Sequence, residues 1–283
     1  MSDALSTAAS EKLLVVYRHA LLVRITHWIN VLCLSVLFMS GLQIFNAHPS
    51  LYFGNRSDPG TAVLTIGPEQ RTDGSYAGVV KVGGATFETT GVLGLFTGDD
   101  GELEGRAWPS WITLPSYRDL ATGRRWHFFF AWLFVLNGLV YLGYSLASGH
   151  TWRDLVPSRD QLRHIGKSIL EHARFRFPKG EEARHYNVLQ KLAYLGIIFV
   201  VLPVTILAGL AMSPGLDAAF PIMLDIFGGR QSARTIHFIG AWTIVLFVLV
   251  HVFMVLVSGV WNNLRSMITG RYAIEPEVTS HDK

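Results

Sequence analysis

Two histidines, His237 and His251, lie 14 residues apart in one apolar stretch of the chain. Fourteen helical steps of ~100° leave their side chains about 40° out of line, and a rise of ~1.5 Å per residue separates them by ~21 Å along the axis. One metal ion cannot be held by both, but each can be an axial ligand at its own depth. Two further histidines, His27 and His127, stand at the mouths of other apolar stretches. Ionisable side chains inside apolar spans are costly and mark functional positions facing a bundle interior. Imidazole is a strong neutral ligand for transition metals.

The elements that must position these rings follow from composition. Of 283 residues, 50% are apolar and 16% charged, against ~25% charged in soluble proteins, and the mean hydropathy is +0.32. This is a membrane composition, and it excludes a disordered or nucleic-acid-coating chain despite a pI near 9.0. The single cysteine, Cys33, excludes an internal disulfide, a Cys-x-x-Cys zinc site and covalently attached haem. Four stretches reach the ~20 residues a span needs: 26–45, 126–148, 190–212 and 236–258. The first reads as a retained helix rather than a secretory signal, since Asp3 and Glu11 precede it and no small-x-small cleavage site follows. Pro203 predicts a kink in the third.

Orientation follows from Lys and Arg. Fifteen lie in the N-terminal segment 1–25, the segment 149–189 extended to Lys191, and the tail 259–283; nine lie in 46–125 and 213–235. The positive-inside rule puts both termini and 149–189 in the cytoplasm of a bacterial inner membrane, with 46–125 and 213–235 periplasmic. The chain is thus expected to be an all-α integral membrane protein, a four-helix bundle with a long, partly β, extracytoplasmic loop between helices one and two. In that loop, 77–82 and 85–90 around Gly83-Gly84 read as a hairpin. An acidic run, 99–104, precedes Trp108 and Trp111, and the loop is either a solvated ornament or a docking surface for a partner. The basic segment 149–189, with His164, His172 and His185 among Arg163, Lys167, Arg174, Arg176 and Lys179, reads as an amphipathic helix on anionic lipid.

Depth then pairs the histidines. Spans two and four run inward and open with His127 and His237, so these match near the outer surface. Span one runs outward from His27, which matches His251 near the inner surface. Two imidazoles facing each other in a dry bundle are what a six-coordinate b-type haem requires, and with both axial positions filled the iron is confined to electron transfer. Two haem b groups are expected, held by His27/His251 and His127/His237. Glycine provides room for such a group: Gly41 follows His27 by 14 residues and Gly138 follows His127 by 11. Arg24, Arg124 and Arg125 stand at span ends where they can pair with haem carboxylates. His19 is two turns below His27, about 80° away around the helix, and reads as interfacial.

Arg24-Ile25-Thr26-His27-Trp28, Trp126-His127, and His237 with His251 resemble the four-helix di-haem cytochrome b group, which includes bacterial cytochrome b561-type subunits and the b-type subunits of nickel–iron hydrogenases and formate dehydrogenases. The resemblance spans all four helices and implies the same ligand pairs. It implies an electron-transfer subunit rather than a self-contained enzyme, with no catalytic side chain of its own. It would work between quinone, as diffusible substrate, and a periplasmic oxidoreductase subunit of molybdenum-enzyme or hydrogenase type, in contact with membrane lipid and not nucleic acid. The long loop departs from the compact family pattern. Two rival classes are a four-helix transporter with a histidine proton relay and a structural membrane anchor, of which the anchor needs no buried histidine.

Overall fold

The computed structural model describes residues 14–98, 101–173 and 187–274. Four helices are long and apolar enough to cross a membrane: α1 (Leu21–Asn46), α2 (Leu120–Ala147), the stretch Val188–Ala211, and α9 (Arg230–Val257). At 24 to 28 residues each they exceed the ~20 that a hydrocarbon core requires, so their ends project beyond it or tilt. Phe129, Leu136, Leu139, Leu246, Leu249 and Phe253 are exposed along them, as lipid-facing positions should be. Each helix begins before its sequence expectation. For α1 this matters, because a start at Leu21 places His27 two turns inside the helix.

The third span is composite. Helix α5 (Val188–Gly196) leads through a π-helical turn, Ile197–Val201, into α6 (Leu202–Ala211). Pro203 lacks an amide hydrogen and sits in the first turn of α6, where that donor is not needed. A widened turn thus precedes the proline, and two short helices, α7 (Pro214–Ala219) and α8 (Ile222–Ile226), follow α6.

By contact density the chain divides into two units. One comprises Trp28–Leu139 and Ile197–Phe247, and contains the long loop. Here the expected hairpin is part of a larger structure: β2 (Ser50–Leu51), β3 (Leu64–Gln70), β4 (Tyr76–Val82) and β5 (Ala85–Glu88) form an antiparallel sheet in that order, and β6 (Gly94–Thr97) pairs with β7 (Leu103–Arg106). The β4–β5 turn uses Gly83 and Gly84, with φ of +54° and +90°, the double left-handed conformation of a type I′ turn.

This loop is bonded to helix ends. Its core of Leu51, Ile66 and Ala107 includes Phe45 of α1, with Trp108 and Phe238 packed against it. Arg106, buried, donates to Gln43 of α1 (3.0 Å), Thr113 (2.9 Å) and the Ser116 carbonyl (3.1 Å), and pairs with Glu104 (3.3 Å). Gly54 accepts the amides of Gln231 (2.9 Å) and Ser232 (3.2 Å), and Asn55 Oδ1 accepts that of Arg230 (3.2 Å). Those are amides of the first turn of α9, which have no partner within the helix. Gly229, at φ +111°, leads into this cap, and a side chain there would collide with Gly54 and Asn55. The loop therefore fixes where α9 starts and, two turns on, where His237 points.

The other unit comprises Met1–His27, Val140–Gly196 and Val248–Lys283. Its described part pairs β1 (Leu14–Tyr17) with β8 (Arg271–Ile274) antiparallel, Val16 opposite Tyr272. Strand β8 follows α10 (Val260–Thr269), which ends at Gly270. Between α2 and α5 are a π-helical turn, Thr151–Leu155, the capped single turn α3 (Arg159–Arg163) and the short helix α4 (Ile165–Ala173). The basic residues Arg174, Arg176, Lys179 and His185 lie outside the described residues, as do Asp99 and Asp100 of the acidic run.

Candidate cofactor-binding site

Each unit contains one facing pair of imidazoles. His27 and His251 have ring centres 6.3 Å apart with planes inclined by 64°; His127 and His237 have ring centres 6.1 Å apart, inclined by 68°. The second pair, in the unit with the loop, is termed loop-side below and the first terminal-side. Among the described residues no group of three or more His, Cys, Asp and Glu is placed to hold a bare metal ion. Two imidazoles supply two ligands, so the rest of the coordination must come from a group carrying its own, as a haem does. An iron between two imidazole nitrogens at ~2 Å, each nitrogen ~1 Å from its ring centre, spaces the ring centres by ~6 Å. Both pairs fit that spacing.

The loop-side rings are oriented from behind. His127 Nδ1 lies 3.2 Å from the carbonyl oxygen of Leu37 and 3.1 Å from Ser40 Oγ. His237 Nδ1 lies 2.8 Å from the carbonyl oxygen of Thr205. A carbonyl can only accept, so Nδ1 carries the proton in both rings and Nε2 keeps its lone pair. Thr205 is buried and its hydroxyl donates to the Val201 carbonyl at 2.7 Å. Beneath the pair, Cys33, Phe130 and Phe134 form a buried cluster with Leu37, Leu202 and Ile206 packed on it.

Glycines lie against these rings. A Cβ built on Gly41 would sit 3.5 Å from His127 Cε1, and one built on Gly209 would sit 3.1 Å from His237 Cε1 and 3.2 Å from its Nδ1. Gly240, one turn after His237, faces Thr205, whose Cβ lies 3.1 Å from a Cβ built there. Beside Gly138 nothing lies within 4 Å of the built position. Further along α9, Trp242 packs on Trp108 of the loop (5.4 Å between ring centres) and on Phe38 (5.4 Å). The Trp108 indole N–H is buried without a hydrogen-bond partner. It is thus a buried donor of this unit left over for an acceptor on a bound group.

The terminal-side unit carries a cation, Arg24, and basic rings with acidic or cationic neighbours. Arg24 donates to the Ile268 carbonyl at 2.6 Å, and its Nε is buried without a partner. Burial, with the neighbouring Arg18 second, lowers the His19 pKa to about 4, so the ring is neutral at physiological pH. His150 contacts Asp154 at 2.6 Å, and His164 contacts Asp160 at 3.4 Å. On the loop side, Arg124 and Arg125, just before His127 on α2, are exposed, with the Arg124 guanidinium 5.5 Å from the Phe128 ring centre.

Sequence reasoning named the histidines, Gly41, Gly138 and the arginines, but missed Ser40, Thr205, Gly209 and Gly240. The small-residue run Ala208-Gly209-Leu210-Ala211 was the one available signal. It also missed Asn137 of α2, buried, whose amide donates to Asn30 Oδ1 of α1 at 2.7 Å.

A profile of the family described as prokaryotic cytochrome b561 matches residues 18–270. The chain is 30% identical over 247 residues, 87% of its length and 93% of the relative's, to a protein of Azospira oryzae provisionally described as the protein-methionine-sulfoxide reductase subunit YedZ1. It is 26% identical over 157 residues to a protein of Cupriavidus necator provisionally described as a Ni/Fe-hydrogenase B-type cytochrome subunit, covering 51% of this chain and 64% of that one. No solved structure gives a significant match.

Proposed function

Because the chain belongs to the prokaryotic cytochrome b561 family, we propose that this multi-pass membrane protein holds two haem b groups, one at His27/His251 and one at His127/His237. On this reading it carries single electrons across a bacterial inner membrane between quinone and an oxidoreductase subunit. The observation that supports it best is the pair of imidazole contacts, 6.3 and 6.1 Å between ring centres, at two depths of α9. A haem with both axial positions filled by imidazole supplies reversible one-electron exchange and no open site for substrate. The protein supplies ligation, orientation and exclusion of water. The four imidazoles would hold the iron, Arg24, Arg124 and Arg125 would offer positive charge at span ends to the group's carboxylates, and the open flank at Gly138 would leave room for it.

The relatives' descriptions as subunits of a sulfoxide reductase and a hydrogenase support an electron-transfer subunit with a separate oxidoreductase partner. The Lys and Arg distribution supports cytoplasmic termini, with the loop and its partner on the extracytoplasmic side.

A reduced-minus-oxidised spectrum of protein expressed with haem supplementation tests this. Two b-type components are expected. Replacing His127 or His237 by Ala should each remove the same one, and replacing His27 or His251 the other. Absence of b-type α and Soret bands sinks the reading; loss of different components from His127→Ala and His237→Ala sinks the pairing.

A further inference from the structure

The loop-side imidazoles rest on two copies of one backbone device. On α1 the Leu37 carbonyl accepts the Nδ1–H of His127 at 3.2 Å, and Gly41, four residues later, lies against the same ring. On α6 the Thr205 carbonyl accepts the Nδ1–H of His237 at 2.8 Å, and Gly209, four residues later, lies against that ring. In an α-helix the amide of residue i+4 is the regular partner of carbonyl i, and its side chain leans back toward the preceding turn. A side chain at i+4 therefore stands where a ring must pass to reach carbonyl i. Glycine removes it.

We propose that Leu37/Gly41 and Thr205/Gly209 are twin imidazole seats: positioning residues that fix His127 and His237 as Nδ1–H tautomers and turn each Nε2 toward the opposite ring. The assignment of the seats to a haem site rests on the reading above. Gly41, which the sequence offered as clearance for a cofactor, lies against a histidine ring and clears that imidazole. Ser40 reinforces the first seat. Its hydroxyl donates to the Val36 carbonyl at 2.6 Å, which leaves its oxygen to accept from His127 Nδ1 at 3.1 Å.

The seats differ in slack. At Gly41 a Cβ would meet the ring at 3.5 Å, an ordinary contact; at Gly209 it would meet it at 3.1 and 3.2 Å, so the ring must move by tenths of an ångström off the Thr205 carbonyl. Gly209→Ala should therefore displace its ring more than Gly41→Ala does, while Gly41→Val should reproduce the effect of Gly209→Ala.

The test uses full-length protein loaded with haem, read by low-spin ferric EPR and redox titration of each haem. Gly209→Ala and Gly41→Val should shift the EPR signal and midpoint of the haem that the His127 and His237 variants remove, and weaken its retention about 10-fold, with the second haem unchanged. Gly196→Ala, where a Cβ meets nothing within 4 Å, should match wild type. Unchanged signals in Gly209→Ala and Gly41→Val, or equal change in both haems, overturn the proposal. If neither variant folds, Ser40→Ala introduces no clash and must shift the loop-side signal alone; no shift overturns it. Nitrogen-15 NMR of the haem-free protein separates this proposal from its parent: Nε2–H tautomers at His127 and His237 sink the seats even if haem binds, and Nδ1–H tautomers sustain them even if it does not.

Discussion

The two histidine pairs have nearly the same ring spacing, 6.1 and 6.3 Å, but different supports. The loop-side rings are backed by helix carbonyls, faced by glycines and fixed in height by a loop that caps α9. The terminal-side pair is flanked by a clasp made from the two ends of the described chain. There β1 pairs with β8, the Arg18 amide donates to the Gly270 carbonyl at 2.8 Å, the Arg18 guanidinium lies 4.5 Å from the Tyr272 ring centre, and Arg24 reaches Ile268. One ring spacing thus occurs in two settings, one lined by helix carbonyls and glycines and one in a unit closed by a strand clasp with cationic contacts, and the two settings should fail under different insults.

The comparison breaks most sharply at Arg106. Its side chain is 2% exposed, and Arg106→Met takes the Arg106 donor from Gln43 Oε1, Thr113 Oγ1 and the Ser116 carbonyl, while Glu104 keeps Arg118 at 2.9 Å. A loss of about 3 kcal/mol is expected, read by denaturant titration in mixed micelles, with the loop-side haem lost first; equal loss of both haems would show that the supports are not separate. Gly240→Ala comes next. A methyl there meets the stiff side chain of buried Thr205, and about 2 kcal/mol of overpacking should disturb the same pair.

Acid should act on the other region. The His19 pKa is lowered by burial to about 4, while the unfolded side chain titrates near ~6.5. Between those values the unfolded state binds a proton that the folded state does not, so stability falls as pH falls through that window. His19→Gln should flatten this part of the pH profile, and an unaltered profile would remove His19 as its source. The smallest effect is expected at Asn137. Asn137→Ala breaks the bond to Asn30, for which membrane double-mutant measurements suggest about 0.6 kcal/mol, and it should leave both haem signals in place.

The four spans were legible because hydrocarbon imposes a length and a composition that need no tertiary knowledge, and the 14-residue interval put His237 and His251 near one face by helical geometry alone. The loop was legible only in part. Gly83-Gly84 announced its turn, since a double left-handed conformation selects glycine locally. The bonds from Gly54 and Asn55 to the start of α9 join residues more than 170 apart in sequence, and no local pattern records them. Gly209 was missed for the same reason: a glycine in an apolar helix has many uses, and the ring it faces comes from another helix.

The sequence by itself determined that the chain has four stretches long and apolar enough to cross a membrane and which histidines, by type and spacing, were candidates to meet in pairs, because hydropathy, residue chemistry and helical periodicity are local properties. Only the tertiary structure decided which nitrogen of each loop-side ring is turned outward and what holds it there. Those depend on distances of about 3 Å between separate helices, where one methyl group or one carbonyl changes the outcome.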